Sequence, residues 1–345
     1  MFFSARHAVR HAVALAAVAL FGCFVPVAAA EAVTLKFATQ NTENAWTTVH
    51  GIKPWIEQIE KDSNGSITID FYANQTLTKG NQAWQAVRKG IADMSWVTMG
   101  SYPGMNLLME IINQPGMGFD TAMEAVDRLY AITDKVPAAA RPFSSNKVLA
   151  MFSGDPGTGV LISKTPIRTL EDLKGKKIRC AAGAYLDMLK ALGASPVVMP
   201  MPDCYMALQK GTIDGILGDI DSYLSYRFYE VARYATNNIP RGCTLFLIIM
   251  NEGRYASLPE AAKKAIDAHS GIPGSKELAE SFSYNQRSLF KDAEARGAEV
   301  IRLSDEENAR WTELLTPLWD EWLKTCADKG YEKEAPVVLR MMQGK

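Results

Sequence analysis

The chain has 345 residues, 48% of them apolar, and its 37 basic and 38 acidic side chains leave a net charge of −1. That length suits two domains with sizeable cores, and the even charge balance excludes the basic surface that phosphate-neutralising nucleic-acid binding requires. Acid–base and metal chemistry are poorly provided for as well. Beyond the first thirty residues only His50 and His269 remain, neither beside a Cys or an acidic pair at ligand spacing, and there is no Gly-x-Ser-x-Gly, phosphate loop or His-Glu-x-x-His. The expectation is a protein that is not an enzyme and carries no cofactor.

The chain starts with a basic stretch (Arg6, His7, Arg10, His11), an apolar run from Ala12 to Phe21, and Ala28-Ala29-Ala30. This is the order of a secretory signal over residues 1–30, cleaved near Ala30, and it predicts export. Cleavage removes Arg6 and Arg10 and brings the net charge to −3. Leu20-Phe21-Gly22-Cys23 partly imitates a lipoprotein box, but a bulky Phe precedes Gly22 and the apolar run continues to Ala30.

Strands are then predicted near 33–39, 67–72, 93–98, 147–153, 159–163, 176–181, 196–200, 213–218 and 244–250, with helices between most of them. The alternation makes the fold class α/β. Gln85-Ala-Val-Arg-Lys-Gly-Ile-Ala-Asp-Met94 is echoed by Met206-Ala-Leu-Gln-Lys-Gly-Thr-Ile-Asp-Gly215, as if each half held the same helix–turn–strand unit with its Gly ending the helix. Turn residues in Ser153-Gly-Asp-Pro-Gly157 and Ile239-Pro-Arg-Gly-Cys243 mark two places where the chain crosses between lobes. Two crossings make a cleft with a hinge, and hinge closure around a ligand is the motion this permits.

Lys176 to Cys180 reads as a strand and Ala184 to Leu192 as a helix, so Arg179 projects where open α/β sheets bind their ligands. Its planar fork of donors matches a carboxylate bidentately and stays charged, which makes it the candidate anion anchor. Toward the C-terminus, Ser304-Asp-Glu-Glu307 opens like a capped helix. Trp311, Leu314, Leu315, Leu318, Trp319 and Trp322 follow at helical spacing as a core stripe, and Pro317 predicts a kink or break.

The run Asp172-Leu-Lys-Gly-Lys-Lys-Ile-Arg179, then Gly193-Ala-Ser-Pro196, then Asp203 before Tyr205-Met-Ala-Leu-Gln-Lys-Gly-Thr-Ile-Asp-Gly215, resembles the solute-binding proteins of tripartite ATP-independent periplasmic (TRAP) transporters, the DctP family. The resemblance spans nearly all of the chain after the leader. It implies a bilobal periplasmic-binding-protein fold with a third crossing inside a long helix near 273–300. The lobes would then be 31–156 with 243–283, and 157–242 with 284–345 including the C-terminal helices. It also implies a periplasmic monomer that captures an organic acid through Arg179 and delivers it to the TRAP membrane permease subunits. A binding protein of an ATP-driven importer, a periplasmic sensor subunit and an exported enzyme on the same scaffold are the other readings.

Around Arg179, Asp203 is expected to brace the guanidinium while leaving one edge for ligand. Family positions suggest Gln40 or Asn41 and Thr98 as hydrogen-bonding partners. The second arginine that sugar-acid relatives often carry after the first crossing is missing from Gly157-Thr-Gly-Val-Leu161, and Gly218 and Asp219 stand where an Asn is common. Both departures turn the expectation toward a monocarboxylate with an apolar or aromatic body. Trp96, Met99, Tyr102, Tyr185 and Tyr223 are candidate walls or simply core, and Asp219 either answers a polar group on the ligand or lies at the surface. Cys180, Cys204, Cys243 and Cys326 remain after the leader; a Cys180–Cys204 bridge and free buried thiols are both open.

Overall fold

A computed structural model describes residues 32–116, 119–283 and 286–345. The expected leader, with Cys23, lies outside the described residues. Strands form where the apolar alternation predicted them: β1 Val33–Ala38, β2 Ile67–Tyr72, β3 Met94–Thr98, β4 Lys147–Ser153, β5 Gly159–Ser163, β6 Lys177–Cys180, β7 Ser195–Val198 and β8 Gly215–Asp219. After these come β9 Tyr234–Asn237, β10 Leu245–Met250 and β11 Glu299–Arg302. The sequence reading missed β9 and β11. Each has only 4 residues, and they pair with each other in parallel, so their strand character comes from a partner more than sixty residues away.

The strands form two sheets, ordered β2-β1-β3-β10-β4 and β11-β9-β5-β8-β6-β7. Three parallel strands open each unit, β2-β1-β3 in the first and β7-β6-β8 in the second. Each is then continued by an antiparallel strand that enters directly after a crossing: β10 beside β3, and β5 beside β8. The bilobal α/β architecture therefore repeats within the chain.

The sequence echo is the local form of this repeat. Helices Ala83–Arg88 and Cys204–Lys210 run into Gly90 (φ 72°) and Gly211 (φ 73°), left-handed positions that glycine adopts without Cβ strain. The next amides turn back in register, Ile91 N to Ala86 O at 2.9 Å and Thr212 N to Ala207 O at 3.0 Å. Asp93 then exchanges backbone N–H and side-chain acceptor with Lys36 (3.0 and 2.8 Å), and Asp214 does the same with Lys177 (2.8 and 2.8 Å). In both lobes the aspartate pins the entry of a parallel strand to its neighbour.

Helix Gly271–Ser283 packs on β4 and on helix Ala122–Lys135, whereas Gln286–Ala295 packs on helix Ile220–Ser225 and β11. The third crossing expected near 273–300 includes residues that lie outside the described set. Helix Asp305–Leu315 is capped by Ser304, whose Oγ accepts the Glu307 N–H at 3.1 Å. It ends before Pro317, which starts a new helix, Pro317–Asp328. The break has a packing purpose. Trp311, Leu315 and Leu318 belong to the second lobe's core, whereas Trp322, Cys326, Ala335, Val338 and Met342 pack beneath the first sheet. The reading that kept all of 284–345 with the second lobe differs here, because the apolar stripe does not say which sheet it covers. Among the described residues no helix is long and apolar enough to cross a membrane.

Candidate functional site

The lobes meet around a cavity of about 90 Å³ lined from both sheets and from the second crossing. Its mouth is bridged by backbone and side-chain bonds from lobe to lobe. The Asp221 carboxylate accepts the N–H of Trp46 at 3.0 Å and of Thr47 at 3.5 Å, Tyr226 Oη donates to Gln40 O at 3.2 Å, and Ala182 N donates to Gly100 O at 3.1 Å. The approach is close, since a Cβ on Gly100 would lie 3.0 Å from Ala181 Cβ. The cleft is closed.

Arg179 stands in β6, opposite Val197 of β7 and Ile216 of β8, and is 6% exposed. Its Nε donates to Met199 O at 2.8 Å and its Nη1 lies 3.6 Å from Met201 Sδ. It forms no ion pair with any described residue. Asp203 does not brace it, contrary to expectation: Asp203 is exposed at the start of helix Cys204–Lys210, and a backbone carbonyl takes the bracing role instead. A carbonyl orients a guanidinium without cancelling its charge, so the positive field stays available to an anion.

Gln40, Asn41, Trp96, Thr98, Tyr185, Gly218 and Asp219 all line the cavity with Arg179. Thr98 Oγ1 accepts from Gln40 Nε2 at 3.0 Å and from Trp96 Nε1 at 3.3 Å, which leaves its own O–H as a donor. Asp219 is neither a surface group nor a free counter-charge. It caps helix Ile220–Ser225, accepting the Ser222 N–H at 2.7 Å. Trp96 packs edge-on against Phe152 and tilted against Phe246, with ring centroids at 5.2 and 4.8 Å, and together with Tyr185, Leu217, Ala181 and Tyr226 gives the cavity an aromatic and apolar wall.

Besides Asp203, three candidates lie outside the cavity lining. Met99 and Tyr102 sit in the first lobe's core, where Tyr102 Oη accepts from Trp84 N and donates to Gly80 O, its phenol pushed up to about 12 by burial. Tyr223 is fully buried in the second lobe and donates to Ala232 O. The sequence reading missed Asp221, Tyr226, Arg241, Thr244 and Phe246. A charged residue inside the turn Ile239-Pro-Arg-Gly-Cys243 was the available signal for Arg241.

Burial sets the titration behaviour around the site. Asp221 is pushed up to about 6, by burial first and then by the Asp219 carboxylate, and burial raises the Tyr185 and Tyr226 phenols. Cys180, Cys204, Cys243 and Cys326 are free buried thiols, so the Cys180–Cys204 bridge does not form; burial pushes the first two up to about 11 and the others to about 12. No cluster of potential metal ligands occurs among the described residues.

Comparison with known proteins agrees with this geometry. A TRAP solute-binding protein from Rhodoferax ferrireducens, solved with copurified benzoate, superposes with a TM-score of 0.85 at 25% identity, covering 90% of this chain and 97% of its own. A marine metagenome TRAP solute-binding protein specific for aromatic acids, solved with 3-hydroxybenzoate, gives 0.84 at 30% identity over 91% and 97%. The C4-dicarboxylate-binding periplasmic protein DctP of Rhodobacter capsulatus is 25% identical over 79% of this chain and 81% of its own. Residues 37–325 match the model of the bacterial extracellular solute-binding proteins, family 7, and the chain belongs to that DctP family of TRAP solute-binding proteins.

Proposed function

We propose that the protein captures a carboxylate with an apolar or aromatic body in the periplasm, after cleavage of its leader near Ala30, and as a monomer delivers it to the membrane subunits of a TRAP transporter. The observation that carries this reading is the Arg179 guanidinium, 6% exposed and braced by a carbonyl, in a cavity that has an aromatic wall of Trp96, Tyr185, Tyr226 and Phe246 beside its polar groups. A buried cation without an ion-pair partner among the described residues is costly, and a ligand carboxylate relieves that cost when the lobes close. Thr98 supplies a further donor, and Trp96, Tyr185 and Phe246 suit a flat apolar body. The benzoate and 3-hydroxybenzoate found in two structural relatives point the same way.

Closure couples binding to delivery, because a ligand shifts the open–closed equilibrium only by its differential affinity for the two forms. Thermal-shift measurements on the mature protein against aromatic acids, aliphatic acids, sugar acids and amino acids test the reading. A raised midpoint with apolar carboxylates that disappears in Arg179→Ala supports it. Shifts confined to neutral or cationic solutes would overturn it.

A further inference from the structure

A second guanidinium enters the same cavity from the second crossing. Arg241 forms no ion pair with a described residue, and its Nε is buried without a hydrogen-bond partner. Its Nη1 donates to Tyr185 Oη at 3.3 Å, and its Cζ lies 5.8 Å from the Tyr185 ring centre. The Tyr185 proton goes to Gly242 O at 3.1 Å, so toward Arg241 and Thr244 (3.1 Å) the phenol oxygen accepts. Donors at this end are therefore in excess, and an acceptor is missing.

Gly159 makes room for this side chain. A Cβ at Gly159 would lie 1.9 Å from Arg241 Nε and 2.6 Å from Cζ, yet the backbone there, φ −65° and ψ 129°, is open to any residue. The glycine serves the arginine rather than the turn. The stretch Gly157-Thr-Gly-Val-Leu161, which lacks the second arginine of sugar-acid relatives, thus seats an arginine from another part of the chain.

The two arginines are seated on different strands. Arg241 lies over Gly159 of β5, on one side of β8. Arg179 belongs to β6 on the other side, and its Nε donates to the carbonyl of Met199, just past β7. Two to three strand spacings separate those supports, about 10–14 Å. A carboxylate taken in the fork of Arg179 leaves the donors of Arg241 to another acceptor.

We propose that Arg241 is a second anchor and a specificity determinant, and that the ligand is two-headed: a carboxylate at Arg179 and, across the apolar body, a second oxygen acceptor at Arg241. The inference rests on the carboxylate-carrier reading of this cavity. Calorimetry with benzoate, 3-hydroxybenzoate, 4-hydroxybenzoate and terephthalate tests it on the wild type, Arg241→Ala, Gly159→Ala and Arg179→Ala. At least one two-headed acid should bind the wild type about tenfold or more tighter than benzoate, in keeping with a charge-assisted hydrogen bond. Arg241→Ala brings that ratio to within about twofold, and so does Gly159→Ala, whose methyl group displaces the guanidinium while the arginine stays in the chain. Arg179→Ala weakens both ligand types together. A wild-type ratio near one, or an Arg241→Ala variant that keeps the ratio or weakens every acid equally, overturns the second anchor and leaves the carrier reading standing. Affinity for these acids that is indifferent to Arg179→Ala overturns the carrier reading, and this inference with it.

Discussion

The Asp221 carboxylate of the second lobe accepts the backbone N–H of Trp46 in the first lobe at 3.0 Å, with the Thr47 N–H at 3.5 Å beside it. Ser225 Oγ donates to the same carboxylate and holds it toward the cleft. One side chain thereby latches the closed cleft by the backbone of the opposite lobe. Asp221→Ala should make closure less favourable by about 0.5–1.5 kcal/mol, the range for the net contribution of a hydrogen bond. Ligand affinity should fall accordingly while the thermal midpoint of the unliganded protein changes little. Calorimetry and differential scanning read the two effects separately, and unaltered affinity would dismiss the latch.

The same residue makes binding pH-dependent. Burial, and then the Asp219 carboxylate, push Asp221 up to about 6 from its ordinary 3.8. In the open form, with solvent at hand, the value lies nearer the ordinary one. The closed form thus holds the proton more tightly, so closure gains as the pH falls through about 6 and loses that gain as the pH rises through it. Affinity for an acid that stays ionised throughout should increase between pH 7.5 and pH 5.5, and Asp221→Asn should flatten the profile. An increase that persists in Asp221→Asn would assign the titration to another group.

Arg179→Ala should weaken carboxylate binding by about 2–5 kcal/mol, the range for truncating one partner of a buried charge pair. Arg179→Lys should recover only part of the loss. An ammonium keeps the charge but has no Nε to hold against Met199 O, so its direction is no longer set. Equal affinity of the lysine variant and the wild type by calorimetry would show that charge alone suffices.

Asp93 and Asp214 make the same contact in the two lobes, each accepting an N–H of the neighbouring parallel strand at 2.8 Å. Asp93→Ala and Asp214→Ala should each destabilise the fold by about 0.5–1.5 kcal/mol. Because the two sites lie in different sheets, the double variant should lose the sum. Urea unfolding checks this, and a marked departure from additivity would mean that the lobes share the strain.

The four thiols are buried and free, and burial pushes them well above the usual range, to about 11 or 12. They should be silent to a thiol reagent in the folded protein and react together on unfolding, and a reductant should leave the thermal midpoint where it was. A reductant-sensitive midpoint would contradict the free thiols.

Much of the fold was legible because local chemistry repeats locally. The strands from 33 to 250 that the apolar alternation marked are present to within two residues, apart from β9. The Lys-Gly-x-x-Asp echo marked the duplicated helix–turn–strand unit, since a left-handed glycine and an aspartate accepting from the neighbouring strand need those residue types at that spacing. Arg179 was legible for the same reason, as it sits at a fixed place in a strand–loop–helix unit. The brace by Asp203 was misjudged because adjacency to a site in sequence does not set which way a helix's first residue points.

The sequence by itself thus determined the α/β class, the crossings after β4 and before β10, the family resemblance and the candidate anion anchor. Tertiary structure alone decided the rest. It sent the last helices to the first lobe, joined β9 to β11, placed Met99, Tyr102 and Tyr223 in cores, and brought Asp221 to Trp46 and Arg241 into the notch of Gly159. Each of these depends on which surfaces meet after the chain has crossed between lobes. Periodicity records which side of an element is apolar, but not the distant partner that covers it.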